Sequence, residues 1–230
     1  MNTNQFDFSL APRYHKAPPS LTFTSTGTTI VGCVFDQGVV LAADTRATAG
    51  TVVADRNCNK LEAISQFIYC AGAGTAADTF AVKKMARDQL KLNQLKTEQE
   101  PLVSVAGHIM QNHLFNYQGH VSAALILGGI DEMGAHLISL QPHGSADYLP
   151  YSTLGSGSLA ARAVFNDQWT ENVTESQAKD MCEKAIRAGI MNDLGSGSNV
   201  DLVVIKRGGV EHIRGYKDVG NQSAGLVGVQ

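Results

Sequence analysis

The chain has 230 residues, 43% of them hydrophobic and 17% charged, with 18 Lys and Arg against 21 Asp and Glu for a formal net charge of -3. Plentiful apolar residues and a small net charge exclude intrinsic disorder, and the balance argues against a broad basic face for nucleic acid. Typical globular chains carry about 25% charged residues, so either much of this surface is neutral or a partner covers it.

Residues 1–27 read as an appendage that holds Pro12, Pro18 and Pro19 and sustains no helical or strand period. Thr28–Phe35 and Val39–Asp44 are β-branched, apolar runs around the turn Asp36-Gln37-Gly38, which predicts a hairpin. Two short strands follow at Thr51–Ala54 and Phe67–Ala71. Thr75–Leu95 reads as a helix with Ala77, Ala81 and Met85 on its apolar face and Lys83, Lys84 and Arg87 turned elsewhere. Pro101 opens a second helix to about His113. Val121–Ile130 and His136–Leu140 are strand-like, and the segment around Tyr148–Tyr151 continues a sheet. Ser158–Gln168 reads as helix. Thr174-x-x-Gln177 makes a capping box for another helix, to about Asn192. Val200–Lys206 and Val210–Arg214 form a last hairpin across Gly208-Gly209.

Strands, two helices, strands, two helices, strands: this order predicts an α+β chain, two packed antiparallel sheets with a helix pair outside each. The chain divides into an extension, 1–27, and one domain, 28–230. Cys33, Cys58, Cys70 and Cys182 contain no CxxC pair and read as reduced thiols of an intracellular protein. His108 and His113, five apart, fall on different helical faces, and no metal or cofactor site is expected. No apolar run approaches the roughly 20 residues of a membrane span, and the first segment lacks a signal-peptide pattern.

Strand, Gly72-Ala73-Gly74-Thr75-Ala76-Ala77 and helix together mimic a dinucleotide fingerprint, but that motif needs a following parallel strand with a ribose-binding acid, and a second helix occupies that place. A helix start at Gly74 can instead present N–H groups to a developing oxyanion. Two loops carry Gly-Ser-Gly-Ser, at Gly155–Ser158 and Gly195–Ser198, the second after Asp193. Alone, these read as turns or helix caps.

Gly27-Thr28-Thr29-Ile30, Gly38–Ala47, Val52–Lys60, Ile68–Thr79, Leu154–Ser158 and Asp193–Gly197 follow one another in the order of a known family. From Thr28 to about residue 215 the chain resembles a proteasome beta subunit, most closely the trypsin-like catalytic type. The resemblance implies a four-layer αββα sandwich of the N-terminal nucleophile hydrolase type. It implies a threonine endopeptidase of the proteasome core, self-processed at Gly27-Thr28, with Thr28 as nucleophile and residues 1–27 as propeptide. The chemistry agrees. A threonine hydroxyl needs an adjacent base, and a freed α-amino group, with an ordinary pKa of about 7.7–8.0, can be that base. While residues 1–27 are attached, that nitrogen is an amide and cannot serve. Gly27, without a side chain, lets the hydroxyl reach its carbonyl.

By the same resemblance Lys60 is the active-site lysine and Asp44 its partner. Ser156, Asp193 and Ser196 surround the threonine amine, and the Gly74 N–H is the oxyanion donor. Ala47, Thr48, Cys58, Gly72, Ala76 and Phe80 match substrate-binding positions. Gly72 is expected to leave the specificity pocket roomy. The trypsin-like type carries an acid where this chain has Phe80, so cleavage after basic residues is expected to persist in relaxed form, with Phe80 at the base of the cleft and Asp55 as a substitute acid. Implied partners are other alpha and beta subunits in stacked rings and unfolded polypeptides, in cytoplasm and nucleus, with no nucleic acid, membrane, metal or cofactor. The fifteen residues after Gly215 are short for the arm with which such subunits embrace a neighbour. Rival readings are a non-catalytic ring subunit and a nucleotide-binding module built on Gly72–Gly74.

Overall fold

Apolar residues sort themselves between two five-stranded antiparallel sheets in a computed structural model that describes residues 27–219. The expected leader, apart from Gly27, and most of the expected short tail lie outside the described residues. The first sheet contains β1 (Thr29–Phe35), β2 (Gly38–Asp44), β10 (Tyr151–Gly155), β11 (Asn199–Lys206) and β12 (Gly209–Asp218), in the order β10-β1-β2-β11-β12. The second is β5 (Leu61–Ser65), β6 (Ile68–Gly74), β7 (Ala123–Asp131), β8 (Gly134–Leu140) and β9 (Ala146–Tyr148), paired in chain order. A small hairpin, β3 (Ala47–Ala49) with β4 (Val52–Asp55), stands apart.

The central strands are buried on both faces, which is why they are near-continuous apolar runs. Strand periodicity of two sends alternate residues to opposite faces. Ile30, Val39, Leu41 and Val203 pack on Leu61, Ala71, Ile126 and Leu137 between the sheets. Val31, Cys33, Val40 and Leu202 face outward instead, onto α3 (Ser158–Gln168) and α4 (Glu175–Asn192) through Phe165, Met181 and Ile186. On the far side, α1 (Ala76–Thr97) and α2 (Val103–Asn116) cover the second sheet with Val82, Leu90, Met110 and Leu114. The result is the αββα sandwich expected from the sequence.

Local signals decided most boundaries. The Thr174 capping box forms as expected, with its hydroxyl accepting the Gln177 N–H and the Gln177 side chain accepting the Thr174 N–H. Three features differ from expectation. Helix α1 is rotated: Thr79, Val82, Lys83, Ala86 and Leu90 are its buried residues, while Ala77 and Ala81 are exposed. Alanine carries too little apolar area to orient a helix, and Lys83 can turn inward because Glu62 meets it there. The Tyr148–Tyr151 segment is not one strand. Pro150 has no N–H for a ladder, so β9 ends before it and β10 crosses to pair with β1. Finally, β3 and β5 are too short or too polar to have been anticipated.

All four cysteines are free thiols, and burial pushes Cys33 and Cys70 up to about 12. No helix among the described residues is long and apolar enough to cross a membrane.

Candidate active site

The first hairpin places Thr28, just ahead of β1, beside Asp44, the last residue of β2. Lys60 arrives immediately before β5 and reaches the same point. Its ammonium donates to Asp44 Oδ1 at 2.7 Å, to Thr28 Oγ1 at 2.9 Å and, more weakly, to the Gly27 carbonyl at 3.4 Å. All three of its protons are thereby directed. With Lys60 donating to it, the Thr28 hydroxyl sends its own proton to the Gly27 carbonyl oxygen, 2.7 Å away.

Asp44 is fully buried. Besides Lys60 it accepts the backbone N–H groups of Thr29 at 2.9 Å, Gly197 at 3.1 Å and Arg46 at 3.2 Å. Burial pushes this carboxyl up, while Lys60 and the Thr29 and Gly197 N–H groups pull against burial. Every polar neighbour is a donor, so the carboxylate is the form that fits.

A second arm starts from the Thr28 nitrogen, which donates to Ser156 Oγ at 3.0 Å. Ser156 passes its proton to Asp193 Oδ2 at 2.6 Å, and Ser196 does the same at 2.7 Å. Because the Ser196 proton is thus committed, Thr29 Oγ1 is the donor in its 2.7 Å contact with Ser196. Asp193 caps the end of α4, and its Oδ1 accepts the Gly195 N–H at 3.0 Å. Burial works against its charge, but the bonds from Ser156, Ser196 and Gly195 outweigh that and hold the carboxyl below its usual value. A carboxyl lowered in the folded state adds stability above its unfolded value, and loses it as pH falls through the folded one. The stability difference between the wild-type chain and Asp193→Asn should therefore be constant near neutrality and shrink below about pH 4. Denaturation midpoints across pH 3–7 check this, and an equal difference at both ends would refute it.

Beside Thr28 opens a cavity of about 240 Å³, lined among others by Lys60, Gly74 and five of the six expected substrate-binding residues, Ala47, Cys58, Gly72, Ala76 and Phe80. Thr48 is not on this lining. Its hydroxyl accepts the Gly27 N–H at 3.1 Å and so holds the residue just before Thr28. Phe80 is 54% exposed and stands at the mouth of the cavity, not at its base, because position 80 lies off the buried face of α1. Asp55 is also elsewhere, exposed and accepting the Asn57 N–H in its own turn.

Two glycines also permit close packing. A Cβ on Gly72 would stand 3.0 Å from the Thr79 Cβ, so this glycine lets α1 approach β6 and does not simply enlarge the cavity. A Cβ on Gly27 would collide with the Cα of Gly195, so the junction needs glycine for close passage past that loop. Gly74 closes β6 with φ +121°, a conformation that favours glycine. Since β6 pairs antiparallel with both β5 and β7, the parallel unit of a dinucleotide site is missing around Gly72–Gly74.

Sequence reading passed over Thr29, Glu62 and Lys83. Thr29 could have been noticed as a second hydroxyl beside Thr28. Glu62 and Lys83 carry no local signal, since they meet only across β5 and α1.

Four αββα layers with a threonine at the head of the first strand define the sandwich of the N-terminal nucleophile class. A family model described as "Proteasome subunit" matches residues 24–205, and the chain belongs to the proteasome family as a beta subunit. It is 52% identical to proteasome subunit beta type-7-B of Arabidopsis thaliana, over 88% of this chain and 73% of that protein. It is 51% identical to proteasome subunit beta type-2 of Saccharomyces cerevisiae, over 90% and 78% of the two chains. Against proteasome subunit beta type-10 of Mus musculus it is 49% identical, over 81% and 68%.

Proposed function

We propose that this chain is a threonine endopeptidase subunit of a proteasome core that activates itself by cleaving Gly27-Thr28. The observation that carries the reading is the position of Thr28 Oγ1, between the Lys60 ammonium at 2.9 Å and the Gly27 carbonyl oxygen at 2.7 Å. Lys60 polarises that carbonyl and favours the deprotonated hydroxyl. The Thr28 oxygen adds to the Gly27 carbonyl carbon, its proton passes to the Thr28 nitrogen, and the C–N bond breaks. Water then cleaves the resulting ester, which leaves a Gly27 carboxylate and a free Thr28 amine.

In the processed chain the amine takes the hydroxyl proton, and the oxygen attacks a substrate carbonyl. The Gly74 N–H holds the oxyanion. The departing amine takes up the proton, and water hydrolyses the acyl ester. Ser156, with Asp193 and Ser196 behind it, already binds the Thr28 nitrogen and keeps its lone pair aimed at the hydroxyl. Asp44 fixes Lys60. The cavity beside Thr28 receives the side chain preceding the cleaved bond. A preference for basic side chains, implied by the resemblance, would have to rest on Glu62, the one carboxylate on that lining among the described residues.

The partners in this reading are alpha and beta subunits in stacked rings, the substrates are unfolded polypeptides, and the compartments are cytoplasm and nucleus. Met133, Leu159 and Leu194 are 76%, 83% and 95% exposed, and such apolar side chains together with a low charged fraction suit faces covered by neighbours. A non-catalytic subunit would have no use for the Thr28, Lys60 and Asp44 contacts. The test is the intact mass of the subunit from its native assembly, followed by an epoxyketone that reacts with hydroxyl and free amine together. A chain starting at Thr28 and an adduct on that residue are expected. A full-length chain in the mature particle would sink the proposal.

A further inference from the structure

The floor of the cavity beside Thr28 holds an ion cluster that the reaction does not use. Glu62, two residues beyond Lys60 on β5, pairs through Oε1 with Lys83 Nζ and through Oε2 with Arg87 Nη2 at 3.1 Å. Lys83 and Arg87 are one turn apart on α1, so both reach across to the same carboxylate and take one oxygen each. Glu62 and Lys83 both line the cavity, whereas Arg87 approaches Glu62 from outside it and is tied by Nε to the Ala63 carbonyl at 2.8 Å. Lys83 is only 3% exposed. Lys60 and Asp44 neutralise each other nearby, which leaves Glu62 held between two cations, Lys83 on the lining and Arg87 behind it.

A purely structural lysine is a poor account of this arrangement. Buried ion pairs contribute little net stability, and Arg87 alone would compensate Glu62. An apolar side chain at position 83 would serve the core under α1 as well as its neighbours Val82 and Ala86 do. What Lys83 changes is the cavity. A guanidinium or ammonium entering it finds the carboxylate already engaged at both oxygens and meets an ammonium at close range. An aliphatic or aromatic side chain, which needs no counter-charge, meets neither obstacle and gains contact with Phe80 at the mouth.

Resting on the reading of Thr28 as nucleophile, we propose that Lys83 sets specificity by masking Glu62, so that the subunit cleaves after bulky apolar residues ahead of basic ones. Glu62 is then a latent basic-residue receptor, and the charge at position 83 decides whether it operates.

The test uses assembled particles carrying wild-type chain or Lys83→Met, with Thr28→Ala particles subtracted as background. Peptides differ only in Arg or Leu before the cleaved bond. Wild type should give an Arg:Leu ratio of kcat/KM below one. Lys83→Met, which keeps length and removes charge while Arg87 still compensates Glu62, should raise that ratio about tenfold or more, mainly through KM for the Arg peptide. Adding Glu62→Gln to Lys83→Met should cancel the gain, a pattern that a general loosening of the fold would not produce. A wild-type ratio well above one would overturn the proposal without any variant. So would an unchanged ratio in Lys83→Met particles that still take the epoxyketone on Thr28. Failure of wild-type particles to take it would instead remove the catalytic reading, and this proposal with it.

Discussion

Particles assembled with Thr28→Ala should retain the leader on this subunit and lose its peptidase activity by roughly 10⁴- to 10⁶-fold, the scale on which removing a nucleophile acts in other acyl-transfer enzymes. The expectation follows from one atom. Thr28 Oγ1 bonds both the Gly27 carbonyl and the Lys60 ammonium. Its loss removes the attacking oxygen for self-cleavage and for substrate alike. The fold should persist, because Lys60 keeps Asp44 and the Gly27 carbonyl as partners. Intact mass reads the first effect and peptide hydrolysis the second. A Thr28→Ala chain that nonetheless begins at position 28 would mean cleavage by another agent, and undiminished hydrolysis would mean another nucleophile.

Asp44→Asn should be the most damaging substitution for stability at the site, by about 3–5 kcal/mol, the range for removing one partner of a buried ion pair. Asp44 accepts two hydrogen bonds at each oxygen. An amide NH₂ replaces one of those oxygens and faces donors with a donor. The Lys60 charge, almost shielded from water, is left without a counter-charge. Unbound from Asp44, Lys60 also no longer points at Thr28, so the leader should remain attached. Lys60→Ala separates the two effects. Asp44 keeps three backbone N–H donors and the fold suffers less, while hydrolysis should fall by about 10²- to 10⁴-fold, the usual scale for a positioned acid–base group. Chemical denaturation and leader retention together check the pair. An Asp44→Asn chain with wild-type midpoint and complete processing would refute the account.

Much of this was legible because it is local. The β1–β2 hairpin is written in Thr28–Phe35 and Val39–Asp44, and helix α4 in Thr174 and Gln177, with partners only a few residues apart. The motifs around Gly27-Thr28, Lys60 and Asp193 identified the family, since each is a short run at the end of an element. The resemblance named Gly72, Phe80 and Thr48, but their surroundings come from packing: Gly72 lets α1 approach β6, Phe80 is half exposed, and Thr48 accepts the Gly27 N–H.

What the sequence by itself determined, then, is the layering, the strand and helix order and the candidate residues around Thr28, because hydrophobic period, caps and short motifs act over a few residues. The charge of the cavity was decided only by tertiary structure. Lys83 reads as a surface residue of a weakly amphipathic helix until α1 rotates it against the sheet. There Glu62, 21 positions earlier, lets its ammonium be buried. A lysine can enter a core only where a carboxylate meets it, and no local pattern in the chain records that meeting.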